Sequence, residues 1–172
     1  LLIRDKCDIL IHINVNVNKS IPAYDRIRAF QATCEEYHVP YDIDLSVDGD
    51  SYHEILNVIR EIFNKIEAKY PNQKKGIFLA NDTYANMFLN LIFQKYGTFP
   101  STYEIVGFDN SPIASEAILP ITTIGQQIDV IAKTAMDLLV QQMEEQKKRV
   151  PKPLGEPVHK QIAPVLIRRN TT

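Results

Sequence analysis

Residues 76–82 read Gly76-Ile77-Phe78-Leu79-Ala80-Asn81-Asp82. The run from Gly76 to Ala80 is short and wholly apolar, the mark of a strand buried on both faces. Asn81-Asp82-Thr83 follows at once and reads as a helix cap. Tyr84, Met87, Phe88, Leu91 and Ile92 then recur at helical spacing, and Gly97 stands where a helix C-cap belongs. A buried strand running straight into a helix belongs to a parallel sheet covered by helices.

The same unit repeats on either side. Upstream, Asp8 to Asn14 is an apolar, β-branched strand candidate. Ser20 and Pro22 suit a helix start, Ile27, Phe30, Cys34 and Tyr37 form its stripe, and Pro40 ends it. Tyr41 to Leu45 alternates like a strand. Asp48-Gly49-Asp50-Ser51 is a turn and cap, followed by the stripe Tyr52, Ile55, Ile59, Ile62, Phe63 and Ile66 up to Pro71. Downstream, Ile105 to Phe108 is another buried strand, Asp109 to Pro120 a polar loop, and Ile121 to Ile124 a short strand. Ile128, Ile131, Ala135, Leu138 and Leu139 mark the last helix. Lys147 to Pro157 is a proline-rich connection. Ile162 to Ile167 closes the chain as an edge strand, because Pro164 has no N–H for a central ladder. The fold class is α/β, a parallel sheet flanked by helices. Ligands of such sheets sit outside the carboxyl ends of the strands. Asn81-Asp82, Asp109-Asn110 and Arg26 fall in that region.

Composition excludes several functions. The chain has 172 residues, 45% hydrophobic and 23% charged, with a formal charge of −2. That balance gives no basic field for a phosphate backbone. No apolar run approaches the ~18 residues of a membrane span. Cys7 and Cys34 make no disulfide framework and fit a reducing compartment. The first strand ends in Asn14-Val15-Asn16 rather than a glycine-rich turn, and no phosphate loop or nucleophile elbow occurs. His12, His38, His53 and His159 are scattered, with no pair at metal-ligand spacing, and read as surface or strand polar residues. Asp44 to Ile55 has a calcium-loop outline, but Ile55 stands where a bidentate Glu is needed. Cys34, on an apolar helix face, reads as a buried inert thiol. No cofactor is expected. Leu1 to Lys6 reads like the last turn of a helix whose beginning is absent, so the sequence reads as a fragment.

The segment Gly76 to Gln126 resembles the effector-binding domain of the LacI/GalR family of bacterial transcription regulators. The words that carry the resemblance are Ile77-Phe78-Leu79-Ala80-Asn81-Asp82, Tyr103-Glu104-Ile105-Val106-Gly107-Phe108-Asp109-Asn110 and Pro120-Ile121-Thr122-Thr123-Ile124-Gly125-Gln126, in matching order and spacing. Arg26-Ile27-Arg28-Ala29-Phe30 resembles the family's Arg-x-x-Gly-aromatic helix start, with Ala29 in the glycine's place. Ile167 to Thr172 fits the family's C-terminal end.

The resemblance implies a type I periplasmic-binding-protein-like fold of two lobes around a cleft. Residues 1–127 would form the second lobe, residues 128–167 the helix and strand returning to the first, and residues 168–172 a tail. The helix-turn-helix and most of the first lobe would lie outside this chain. The face of Ile128, Ile131, Ala135, Leu138 and Leu139 would then be covered by another copy or by residues not in this sequence.

By the same resemblance, Arg26 matches the arginine used on ligand hydroxyls or carboxylate, Asn81 a cleft asparagine, Asp109 the aspartate that takes sugar hydroxyls, and Gln126 a polar hinge residue. Tyr52 could supply an aromatic platform, or belong to the core through its stripe. Other readings stay open: Asn81 as only a helix cap, Asp109 as only a turn former, Arg26 as a surface partner of Asp25 or Glu104. A carboxylate accepting two hydroxyls and a guanidinium donating a fork suit a polyol. The expected function is a cytoplasmic, dimeric sensor. It would bind a sugar or sugar phosphate, touch no membrane, and alter the operator-DNA affinity of an N-terminal domain. An extracytoplasmic sugar-binding protein of a transport system is the alternative. An enzyme ranks last, because no nucleophile–base pair or metal cluster appears.

Overall fold

The computed structural model describes residues 1–16, 21–148, 150 and 156–172, with Ile21 described in its backbone only. The chain runs β1 (Ile9–Val15), α1 (Ile21–Glu36), β2 (Tyr41–Val47), α2 (Tyr52–Lys69), β3 (Lys75–Leu79) and α3 (Asp82–Tyr96). It continues through β4 (Tyr103–Asp109), α4 (Pro112–Glu116), β5 (Thr122–Gly125), α5 (Ile128–Gln146) and β6 (Val165–Ile167). The strands form one sheet in the order β2-β1-β3-β4-β5-β6. β1 is parallel to β2 and β3, and β3 to β4. The order reverses between β1 and β3, which opens a crevice at their carboxyl ends.

The strand period of two assigns the faces. Ile9, Ile11 and Ile13 of β1, Ile77 and Leu79 of β3 and Ile105 of β4 join one cluster with Ile59, Ile62, Phe63 and Ile66 of α2 and Phe88, Leu91 and Ile92 of α3. Leu10, Val106, Phe78, Cys34 and Phe30 join the other, on the α1 side. The register centres on Ile77, which pairs with Ile11 and Ile105. Burying each such side chain contributes about 1.5–3 kcal/mol.

Local signals start and stop the helices. Ser51 Oγ accepts from the Glu54 N–H at 3.3 Å and caps α2. Asn81 Oδ1 accepts from the Tyr84 N–H at 2.8 Å and caps α3. Gly97 ends α3 at φ 71°, a left-handed cap that glycine adopts without a Cβ clash. At the chain start, the Cys7 and Lys6 N–H groups donate to the Leu2 and Ile3 carbonyls, with Lys6 at φ 58°. That paired pattern is the one that closes a helix C-terminus, as the sequence suggested for Leu1 to Lys6.

Several expectations need correction. Tyr37 is exposed, because α1 stops at Glu36 and His38 turns left-handed; Val39 packs there instead. The stretch Asp109 to Pro120 is not all loop: Pro112 starts α4, one turn too short to show a period. The last strand is only Val165–Ile167, beginning beyond Pro164, although it does sit at the sheet edge. His12 is the strand polar residue of the two readings offered, wholly buried within β1. Ser20 lies outside the described residues.

The chain divides into two compact units, Leu1–Ile124 with Leu166–Thr172, and Gly125–Val165. The first holds the clusters above. Its C-terminal tail is built in: Thr171 is buried, its Oγ1 donates to the Ile105 carbonyl at 2.7 Å and accepts from the Thr122 N–H at 2.9 Å. In the second, α5 buries none of its residues, and Ile128, Ile131 and Leu139 are exposed. Gln127 Nε2 donates to the Ala163 carbonyl at 2.6 Å. Among the described residues, no helix is long and apolar enough to cross a membrane.

Candidate functional site

The crevice at the switch point is built from β1, β3, β4 and α1. Asn14, buried near the end of β1, donates through Nδ2 to the Ala23 carbonyl at 3.0 Å and fixes the start of α1. One turn on, Arg26 Nη1 donates to the Ala80 carbonyl at 2.7 Å, at the end of β3. The guanidinium carbon lies 4.2 Å from the centroid of the Phe108 ring on β4, a cation–π contact. Burial lowers the arginine's pKa from its usual value, and the Asp109 carboxylate opposes that shift. Arginine stays charged through such a change. The result is a partly desolvated fork with a carboxylate beside it.

Asp109 ends β4 at φ 105°, and Asn110 follows at φ 56°. Two consecutive non-glycine residues in that half of backbone space store on the order of 1–3 kcal/mol each. Cross-links hold the turn. The Asn110 N–H donates to Thr123 Oγ1 at 3.4 Å, and Asn110 Oδ1 accepts from Arg169 Nη2 at 2.8 Å. The next residue, Ser111, donates from its N–H and Oγ to Asp82 Oδ2 at 2.7 and 3.1 Å.

The structure therefore sets Arg26 against Phe108, the residue before Asp109, close enough for the Asp109 charge to act on the guanidinium, with Asn81 next to the carbonyl that Arg26 holds. Asn81 spends its oxygen on the helix cap. Arg26 makes no pair with Glu104, which instead meets Lys74 at 2.6 Å. Tyr52 is 59% exposed and meets the His53 ring edge-on at 5.9 Å, so it is not a core residue. Gln126 lies just past β5, half-buried, in the Gly125–Val165 unit.

Sequence reasoning missed Asn14, Phe108 and Arg169 as parts of this end of the sheet. An asparagine interrupting an apolar strand was a usable signal for Asn14. Nothing local marks Arg169, which arrives from the chain's end. The surroundings of His12 were not legible in the sequence: its ring stacks on Phe78 at 4.7 Å, lies 5.3 Å from Phe30, and its Nδ1 is 2.9 Å from the Phe78 carbonyl oxygen. Burial pushes its pKa down to about 4. Among the described residues, no group of three His, Cys, Asp or Glu could hold a metal ion.

A parallel sheet whose strand order reverses between β1 and β3, with helices packed on it, defines the α/β class. The chain belongs to the family described as periplasmic binding protein-like domain, whose profile matches residues 3–172. It is similar to the ribose operon repressor of Escherichia coli strain K12, 22% identical over 151 residues, covering 87% of this chain and 42% of that protein. It superposes on the lac repressor dimer bound to operator and the anti-inducer ONPF, with a TM-score of 0.76 at 17% identity, covering 99% of this chain and 55% of that one. A periplasmic binding protein/LacI transcriptional regulator from Alkaliphilus metalliredigens, complexed with D-xylulofuranose, gives a TM-score of 0.73 at 24% identity, covering 99% and 59%. The resemblance to LacI-type regulators and the fold class read from the sequence are both borne out. The chain spans about half the length of the curated relatives it matches.

Proposed function

We propose that this chain is the effector-sensing part of a bacterial transcription regulator that binds a small hydroxylated molecule, a sugar, at the carboxyl end of its sheet. The observation that carries this reading is the Arg26 fork, held on the Phe108 ring next to the end of β4, where the Asp109 carboxylate follows. A fork donor and a carboxylate acceptor fix the orientation of vicinal hydroxyls. In this reading Asn81 adds a cleft amide, Gln126 lies at the hinge, and Tyr52, exposed at the start of α2, offers an aromatic platform. Residues 1–127 form the second lobe and residues 128–167 return to the first.

The relatives support the rest. One is a ribose operon repressor, one is a dimer on operator DNA, and one holds a sugar. By analogy the whole protein is a cytoplasmic homodimer that contacts operator DNA through a helix-turn-helix outside this chain, and it is not an enzyme. The ligand acts through its differential affinity for two arrangements of the subunits. The transport alternative is not favoured, because the curated relatives are repressors.

Isothermal titration of D-ribose and D-xylulose into the full-length protein tests the reading. Binding that Asp109→Ala weakens about a hundredfold, a loss of 2–3 kcal/mol, supports it. Binding untouched by both Asp109→Ala and Arg26→Ala, or no binding of either sugar, overturns it.

A further inference from the structure

The carboxylate of Asp82 stands apart from the proposed ligand contacts, yet it is only 1% exposed and fully engaged. Its Oδ2 accepts from the Ser111 N–H and Oγ, and its Oδ1 accepts from Thr123 Oγ1 at 2.5 Å. Thr123 in turn accepts from the Asn110 N–H. One buried carboxylate at the start of α3 therefore ties the residue after the Asp109–Asn110 turn to the neighbouring strand β5. It also dictates its neighbour in β4: a Cβ on Gly107 would lie 2.3 Å from Asp82 Oδ1. A helix cap alone would need none of these partners. Asp82 precedes Ser111 by 29 residues and Thr123 by 41.

We propose that Asp82 is a positioning residue that sets the left-handed Asp109–Asn110 turn, and through it the direction of the Asp109 carboxylate, without touching ligand. This rests on the reading that Asp109 anchors a ligand. The turn holds two non-glycine residues at positive φ, a geometry that persists only where the surroundings over-determine it. Asp82 supplies that constraint from beneath, and Arg169 holds Asn110 from the side. Removing the carboxylate leaves Ser111 and Thr123 donors unsatisfied, and the turn relaxes toward ordinary backbone.

Amide hydrogen exchange on this chain reads the turn without ligand. The informative probe is the Asn110 amide, because its acceptor is the Thr123 hydroxyl and not Asp82. Asp82→Ala is expected to speed its exchange about tenfold, while the Ile11 amide in β1 keeps its protection. Asp82→Asn keeps an oxygen for Ser111 and sets an amide against the Thr123 hydroxyl, so it is expected to restore most of the protection. Ser111→Ala, mild enough to keep the fold, is expected to give about a threefold rise.

A second arm titrates D-ribose into the full-length protein. There Asp82→Ala is expected to weaken binding about tenfold and Asp82→Asn to recover it. Unchanged Asn110 exchange in both Asp82→Ala and Ser111→Ala overturns the proposal. So does a uniform loss of protection across β1 and the turn, which would make Asp82 a general stabiliser. A loosened turn with unchanged D-ribose affinity overturns the link to the ligand. If the wild type binds no D-ribose, D-xylulose replaces it in this arm; if it binds neither, the sugar reading fails, and the exchange arm still decides what Asp82 does to the turn.

Discussion

The Arg26 guanidinium donates to the Ala80 carbonyl oxygen at 2.7 Å, joining the helix after the first strand to the end of the third across 54 residues of sequence. The bond occupies one nitrogen of the fork. It also fixes the plane in which the remaining N–H groups are offered, because Phe108 lies against the guanidinium carbon.

Arg26→Lys should therefore not be conservative. A lysine keeps the charge but offers a point donor in place of a planar fork. Affinity for the bound sugar should fall about ten- to a hundredfold, with the far-ultraviolet circular dichroism unchanged. Calorimetric titration of both proteins checks it, and equal affinities would remove Arg26 from the ligand's contacts.

His12 makes stability depend on pH. Its folded-state pKa is depressed from 6.5 to about 4, chiefly by burial, so folding favours the neutral ring. The folded state then holds fewer protons than the unfolded chain between those values. The contribution is fully present above about pH 6.5 and is lost as pH falls toward about 4, amounting to roughly 3 kcal/mol. Urea unfolding of the wild type and His12→Phe at pH 7.5 and 4.5 measures it. The variant should lose less stability on acidification than the wild type by about that amount.

Thr171 pins the tail between two strands. Thr171→Val keeps the shape and removes the hydroxyl, leaving the Thr122 N–H and the Ile105 carbonyl each short of one partner. A buried group left unpaired costs about 1–3 kcal/mol. Denaturant midpoints should shift accordingly, with an unchanged slope.

Gly107→Ala probes the space beneath the turn. The added Cβ would meet Asp82 Oδ1 at 2.3 Å and the Ala85 Cβ at 3.4 Å. Carboxylate and helix must shift, at a cost of about 1–3 kcal/mol. Thermal unfolding should show the loss. A second substitution, Asp82→Ala, should recover part of it by removing the atom in the way.

Much of this could be read along the chain. Ser51, Asn81 and Gly97 act as caps because capping is decided within three or four residues. The strands 76–80 and 105–108 were visible within a residue or two at each end, because burial on both faces leaves an unbroken apolar run. Arg26 and Asp109 were chosen by resemblance and by their place after strands, and the fold set Arg26 against Phe108, the residue before Asp109. Tyr52 falls in step with Ile55 and Ile59, but it opens α2 and is exposed, so its stripe did not make it a core residue. α4 escaped because one helical turn has no period to detect.

What the sequence determined by itself was the alternation of strand and helix, the parallel sheet, and the polar residues that follow each strand, all consequences of local pattern. The tertiary structure alone decided that Arg26 meets Ala80 and Phe108, that Asp82 reaches Ser111 and Thr123, and that Thr171 returns to β4. Those contacts depend on the reversal of strand order between β1 and β3 and on the return of the C-terminal tail. They join residues 29 to 82 positions apart, a range over which periodicity carries no information.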